Sequence, residues 1–330
     1  MEPDGFQECP TAPASPQDRR PDTSKLKYAT YNCEFLFLVG YGQLACPGAD
    51  CKWKDETAAQ NHIKQIARNI KALDADIVHM NEVEDCAVLN AVIAELQALG
   101  DNTYQPYLIG GADSATGQNA ALITRVDPIV DLQRTEQMVR LPVALSKCPS
   151  ASGFSSSKGV AKHFYTTFQV SGFSAPVTVI GAHLLAAPSN KARCFEREGQ
   201  ATILSSLALK AAANGNHVII SGDMNDFSAS VLDRNNNRPN SNALGIMEGQ
   251  GFSNVAKFAD KMTRYTQWWD RNNDCVFLQT ETSSLDHIIV SQSLLKGSTP
   301  SVAFRNDLYQ ASCGGVNSDH FPVTMTLSPV

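Results

Sequence analysis

The chain has 330 residues, 43% of them hydrophobic and 18% charged, which suits one large α/β domain or two ordinary ones with a sizeable core. Its 27 basic residues stand against 33 acidic ones, a formal charge of −6. That balance argues against a protein built for tight non-catalytic binding to nucleic acid, but not against an enzyme that holds phosphate through a metal and a few local cations. No apolar run approaches the roughly 18 residues that a membrane-spanning helix needs.

Residues 1–24 carry five of the 16 prolines and little apolar side chain. This composition predicts a disordered tail, with the folded domain over 25–330. The opening MEPDGFQECPTAP lacks the basic and apolar stretches of a secretory signal, so a leader, if the natural protein has one, would precede this sequence. From Leu26 the run LKYATYNCEFLFL alternates and then turns continuously apolar, as a central strand does. Ile63, Ile66, Ala67, Ile70 and Leu73 recur at helical spacing and predict a helix over 57–73. ADIVHM is a short apolar strand, and a second helix is expected over 86–99, stopped by Gly100. Strand signals follow in YQPYLIG, NAALITR and PIVDLQ, then a Ser/Gly/Pro loop over 146–158. HFYTTFQV and PVTVIGAHL resume the strands. A third helix is predicted over 196–213, ended by Asn214-Gly215. HVIISGDMND is a strand running into a loop, 233–242 is a polar loop, and LDHIIVS and FPVTMTL are the last strands. Long helices separated by runs of strands predict an α/β fold of two mixed β-sheets packed face to face and flanked by helices.

The nine cysteines include no C-x-x-C pair, which argues against a structural zinc site. Several lie in loop-like sequence, which points to an oxidising compartment with disulfides. Pro47-Gly48 supplies a turn that lets Cys46 reach Cys51. An odd count leaves one thiol over, and Cys9 in the tail is the expected one.

Six short segments place polar residues where strands end, the position from which a sheet can hold reactive groups rigidly. They are Tyr31-Asn32-Cys33-Glu34, Asn81-Glu82-Val83-Glu84, Gly181-Ala182-His183-Leu184, Ser221-Gly222-Asp223-Met224-Asn225-Asp226, Ser284-Leu285-Asp286-His287 and Ser318-Asp319-His320-Phe321. In this order and spacing the set resembles the endonuclease/exonuclease/phosphatase superfamily, over the chain from about Lys25 to the C-terminus. The resemblance is to the deoxyribonuclease and sphingomyelinase branches, and within them to secreted bacterial-type nucleases.

The resemblance implies a four-layered α/β sandwich and a catalytic set. Glu82 matches the family's metal-binding glutamate, and Asn32 an asparagine near metal and phosphate, read here as a further metal ligand. Glu34 stands where some members carry a metal-binding acid. Asp319 matches a metal- or phosphate-site aspartate. Asp223 and Asn225 match D-x-N, which aligns the attacking water and holds the phosphate. His320 matches the general base and Asp286 the carboxylate that orients it, a division of labour that follows hydrolase triads. His183 matches the histidine that assists the leaving oxygen. Arg140, in RLPV, resembles a phosphate-contacting arginine, and Asn119 stands in a site-proximal position; both are read as substrate-binding. Lys162 and His163 are candidates for the cleft wall or for an exposed strand face. His287, adjacent to Asp286, is expected on the opposite sheet face.

The implied activity is Mg²⁺-dependent phosphodiester hydrolysis, with Mn²⁺ or Ca²⁺ able to substitute or assist. A poorly sequence-specific, secreted, monomeric nuclease acting on nucleic acid is the leading reading. A sphingomyelinase-type enzyme acting on phospholipid headgroups and a catalytically inactive binding module on the same fold are the rivals.

Overall fold

A computed structural model describes residues 6–38, 46, 51–149, 155–272, 274–296, 299–308 and 317–329. In chain order its strands begin with β1 (Leu26–Leu36), β2 (Ile77–Val83), β3 (Gln105–Leu108) and β4 (Asn119–Thr124). Next come β5 (Val139–Leu141), β6 (Ser156–Lys158), β7 (Lys162–Phe168), β8 (Val177–His183), β9 (His217–Asp223) and β10 (Phe252–Asn254). The last are β11 (Gln267–Trp268), β12 (Thr282–Ser283), β13 (Asp286–Ser291), β14 (Ser301–Phe304) and β15 (Val323–Leu327). The helices are α1 (Glu56–Leu73), α2 (Cys86–Ala98), α3 (Cys194–Ala213) and the short α4 (Ala243–Glu248).

The strands form two large mixed sheets. One has the order β14-β15-β1-β2-β4-β3 and the other β10-β13-β9-β8-β7. Alternation along each strand sorts the apolar residues into three layers. Tyr28, Leu122, Phe164, Val179, Ile219, Ile288 and Val323 come from both sheets and fill the space between them. Ala29, Val78 and Met80, on the outer face of the first sheet, pack with Ile63, Ile66 and Ile70 of α1 and Val88 and Val92 of α2. Ile180, Ile220 and Ile289 do the same on the second sheet with Leu204 of α3 and Leu244 of α4. The result is the expected helix–sheet–sheet–helix sandwich.

Local signals start and stop the helices. Asp55 caps α1 by accepting from the Ala58 amide, and Asp74, at φ 47°, ends it in the left-handed region. Asp85 caps α2 through the amides of Ala87 and Val88. Each of α1's inward isoleucines is fully buried, contributing roughly 2 kcal/mol apiece.

The N-terminal segment departs from expectation. Cys9 is not the spare thiol: it is bonded to Cys86 at the start of α2. Asp18 bridges to Val126, Arg19 pairs with Asp127, and the buried Arg20 pairs with Asp18. From residue 6 onward the predicted tail therefore straps the first sheet. A disulfide and buried ion pairs substitute for the apolar residues whose scarcity suggested disorder. Cys46 bonds Cys51 as expected, Cys148 bonds Cys194, and Cys275 is also disulfide-bonded. Among the described residues the free thiol is the buried Cys33.

Candidate active site

Four strands of the second sheet end on one line. Register pairs Lys162 with His183, His183 with Asp223, and Asp223 with Asp286 across β7, β8, β9 and β13. Residues paired across strands share a face. That face looks toward the first sheet, because Phe164, Val179, Ile219 and Ile288, each an even number of residues away along its strand, belong to the inter-sheet core. Gly222 makes this alignment feasible. At φ 135° any Cβ there would collide with the Ala182 carbonyl oxygen, so only glycine lets β9 close on β8 beside Asp223.

The first sheet reaches the same place through irregularities. Met80 and Val83 both face the helices, which strict alternation over three residues forbids. Glu82, at φ 63° within a register shift of β2, absorbs the extra residue and turns into the cavity. On β1, Cys33 and Leu36 pose the same conflict; Glu34 and Phe35, both at φ 48°, resolve it and aim Glu34 inward. Such conformations cost of order 1–3 kcal/mol each, and they cluster where function requires them.

Hydrogen bonds tie the two sheet ends together. Asn32 Nδ2 donates to Glu82 Oε1 at 3.1 Å and to Asp223 Oδ2 at 3.0 Å, while its Oδ1 accepts from the Glu34 amide at 3.0 Å. Ser318 Oγ donates to the Asn32 carbonyl at 2.7 Å, and the Asp319 amide donates to Glu34 Oε2 at 2.8 Å. His320 Nδ1 lies 2.7 Å from Asp286 Oδ2, and its Nε2 faces Asp223 Oδ2 and Asp319 Oδ1, each at 3.9 Å. His183 Nε2 lies 3.6 Å from Asp223 Oδ2 and 4.0 Å from Glu82 Oε1. Asn225, left-handed at φ 46°, donates its amide N–H to Asp223 Oδ1 at 2.9 Å. Of these, Glu34, Glu82, His183, Asp223, Asn225, Asp319 and His320 line a cavity of about 560 Å³.

Five carboxylates in one site leave negative charge poorly compensated. Burial, reinforced by Asp319, pushes Glu34 up to about 8 despite Lys52 at 2.7 Å. Burial raises Glu82, and burial with the Asp286 charge brings Asp223 to about 7. Burial alone would lower His320, but Asp286, Asp319 and Asp223 hold its pKa well above the usual value. Burial, with the positive charges of Lys162 and His320, holds His183 well below it, so this imidazole is neutral. Glu34, Glu82 and Asp319 present oxygen donors to the cavity. That donor set and its unbalanced charge fit a hard divalent cation. Asp223, Asp286 and His320 also lie within 4.8 Å of one another, with His320 Nδ1 and Asp286 Oδ2 hydrogen-bonded to each other.

Three sequence expectations need correction. Asn32, read as a metal ligand, has its amide committed to Glu82, Asp223 and the Glu34 backbone, so it organises the site. Asn119 is buried, donates through Nδ2 to the Glu84 and Gly117 carbonyls, accepts from the Gly111 amide, and does not line the cavity. Arg140 is exposed on β5, opposite Ser157, and does not line the cavity. Lys162 does line it, whereas His163, one residue on, faces away and accepts from the Thr135 amide at 3.0 Å. His287 lies on the opposite face, bonded to Asn254 and the Asp226 carbonyl. Asp226 holds the Phe227 amide, Ser241 and Arg197. Gln118, Asn237, Gln267 and Arg271 also line the cavity. No motif marks them; the segments that bear them are brought together only by the fold.

No protein-family model matches the sequence, and no curated protein matches it. Solved structures do resemble it. An endonuclease/exonuclease/phosphatase family protein from Bacteroides thetaiotaomicron superposes with a TM-score of 0.55 at 18% identity, covering 96% of this chain and 99% of that one. A mannosyl-6-phosphatase from the same species gives 0.53 at 17% identity, over 91% and 98%. D. rerio TDP2 complexed with a single-strand DNA product gives 0.53 at 15%, over 92% and 98%. The chain has the fold of the endonuclease/exonuclease/phosphatase superfamily.

Proposed function

We propose that this protein is a divalent-metal-dependent phosphodiesterase acting on nucleic acid with little sequence preference. The observation that carries the reading is the meeting of the Asp286–His320 pair with Asp223, in the cavity that Glu34, Glu82 and Asp319 also line. Glu34, Glu82 and Asp319 would hold a divalent cation, Mg²⁺ suiting such oxygen donors best, and the cation would supply charge neutralisation at the phosphate. Asp223, its carboxyl raised to about 7, accepts the proton of the attacking water, taking the general-base task that resemblance gives to His320. His320, fixed through Nδ1 by Asp286, presents Nε2 to the same region and hydrogen-bonds the phosphate oxygens. Asn225 steadies Asp223 from behind through its amide. His183, held neutral, assists the departing oxygen as a hydrogen-bond donor through Nε2.

Trp269 lines the cavity and is 64% exposed, which suits stacking on a base. The disulfides support function in an oxidising, extracellular setting. Among the described residues no helix is long and apolar enough to cross a membrane.

One observation favours the lipid reading: Val276, Phe277 and Leu278 form an exposed apolar run near Trp269 in sequence. Supercoiled plasmid, RNA and sphingomyelin vesicles, each incubated with Mg²⁺ with and without chelator, separate the readings. Metal-dependent nicking of plasmid abolished by Asp319→Ala is the expected result. Release of phosphocholine without any cleavage of nucleic acid would replace the substrate assignment.

A further inference from the structure

One cation in the cavity has hydrogen-bonding capacity that nothing described uses. Lys162 opens β7 level with His183, and its side chain is only 14% exposed. It lines the cavity beside Glu82 and Asp223. Its Nζ donates to Gln118 Oε1 at 3.0 Å, and its ion-pair partner Asp113 lies at 3.9 Å, beyond hydrogen-bond range. An ammonium carries three donors, so two remain for an acceptor in the cavity. A charge this enclosed is costly to leave half satisfied. The other basic groups around the site are differently placed. Lys52 is paired with Glu34, Arg197 is spent on the carbonyls of Leu185, Ala187 and Pro188, and Arg271 stands exposed at the rim.

Resting on the phosphoesterase reading, we propose that Lys162, steadied by Gln118, grips a non-bridging oxygen of the substrate phosphate, the task that sequence resemblance gives to Arg140. A phosphate lying over His183 and Asp223 would have Lys162 at one end of that row, and the ammonium would meet it as a point charge with free N–H groups. If Lys162 merely offset the acidic site, its loss would alter metal affinity and leave phosphate affinity alone.

Hydrolysis of bis(p-nitrophenyl) phosphate at saturating Mg²⁺, with inorganic phosphate as competitor, tests this with Lys162→Met, Lys162→Arg and the exposed-lysine control Lys158→Met. Lys162→Met is expected to raise both KM and the phosphate inhibition constant about tenfold or more, without weakening the Mg²⁺ requirement. Lys162→Arg restores most of both, and Lys158→Met stays within about twofold of wild type. Circular dichroism confirms that each variant is folded. KM and phosphate inhibition unchanged in folded Lys162→Met, or a change confined to the Mg²⁺ dependence, overturns the proposal. Wild-type protein that hydrolyses no phosphoester in Mg²⁺ or Mn²⁺ would instead bring down the phosphoesterase reading on which it rests.

Discussion

Replacing Asp286 by Asn removes one negative charge and almost no volume. Asp286 is buried, and its Oδ2 holds His320 Nδ1 at 2.7 Å. The carboxylate fixes the ring and favours its cationic form; the amide can do only the first. With the two charge centres roughly 4 Å apart and an effective dielectric of about 20, the lost attraction is about 4 kcal/mol. If it acts fully in the transition state, turnover falls by roughly 10³. Stability should change far less. Asp223, whose carboxyl the Asp286 charge helps to raise, loses a repulsive neighbour, while His320 loses an attractive one. Steady-state hydrolysis of bis(p-nitrophenyl) phosphate with Mg²⁺, beside a thermal melt of each protein, separates the two effects. A folded Asp286→Asn variant retaining turnover within about tenfold of wild type would refute the role given to the pair.

Three further outcomes are expected. His79 is fully buried between the sheets, and burial lowers its pKa from 6.5 to about 3. The unfolded chain takes up a proton below 6.5 that the folded chain refuses, so stability is lost as pH falls, by about 2 kcal/mol from this group between pH 7 and 5. Denaturant melts of His79→Gln should show a shallower acid slope, and an unchanged slope would contradict this origin. Arg140→Ala should leave kcat and KM within about twofold of wild type, since the residue is exposed on β5; a large rise in KM would return it to the site. Cys9→Ser opens a disulfide spanning 77 residues and should cost roughly 2–4 kcal/mol with kcat unchanged, and a urea midpoint equal to wild type would show that the strap contributes nothing.

The sequence made the sandwich legible because its long helices and central strands carry strong, distinct periodicities. The α1 stripe of Ile63, Ile66 and Ile70 was readable because it is buried in a regular helix. The row of His183, Asp223 and Asp286 was also accessible, since each residue stands at one end of an apolar strand and register does the rest. Bulges were not readable. Alternation alone turns Glu82 toward the helices, and only the left-handed backbone at that residue brings it to the cavity. Arg140 and Asn119 show the limit of resemblance: a short matching string places a residue near a site but does not say what its side chain already holds. The N-terminal strap failed for a related reason. Composition measures apolar content, and the strap is fastened by Cys9–Cys86, Arg19–Asp127 and Arg20–Asp18, whose partners include residues distant in sequence.

Bis(p-nitrophenyl) phosphate has no base, sugar or lipid, so its hydrolysis probes the proposed chemistry apart from substrate preference. Wild-type protein should cleave it with Mg²⁺, lose activity in chelator and recover on metal re-addition, while folded His320→Ala shows at most about one-thousandth of that rate. Cleavage indifferent to chelator, or a His320→Ala variant as active as wild type, would contradict the assignment of this cavity as a metal-dependent phosphoesterase centre.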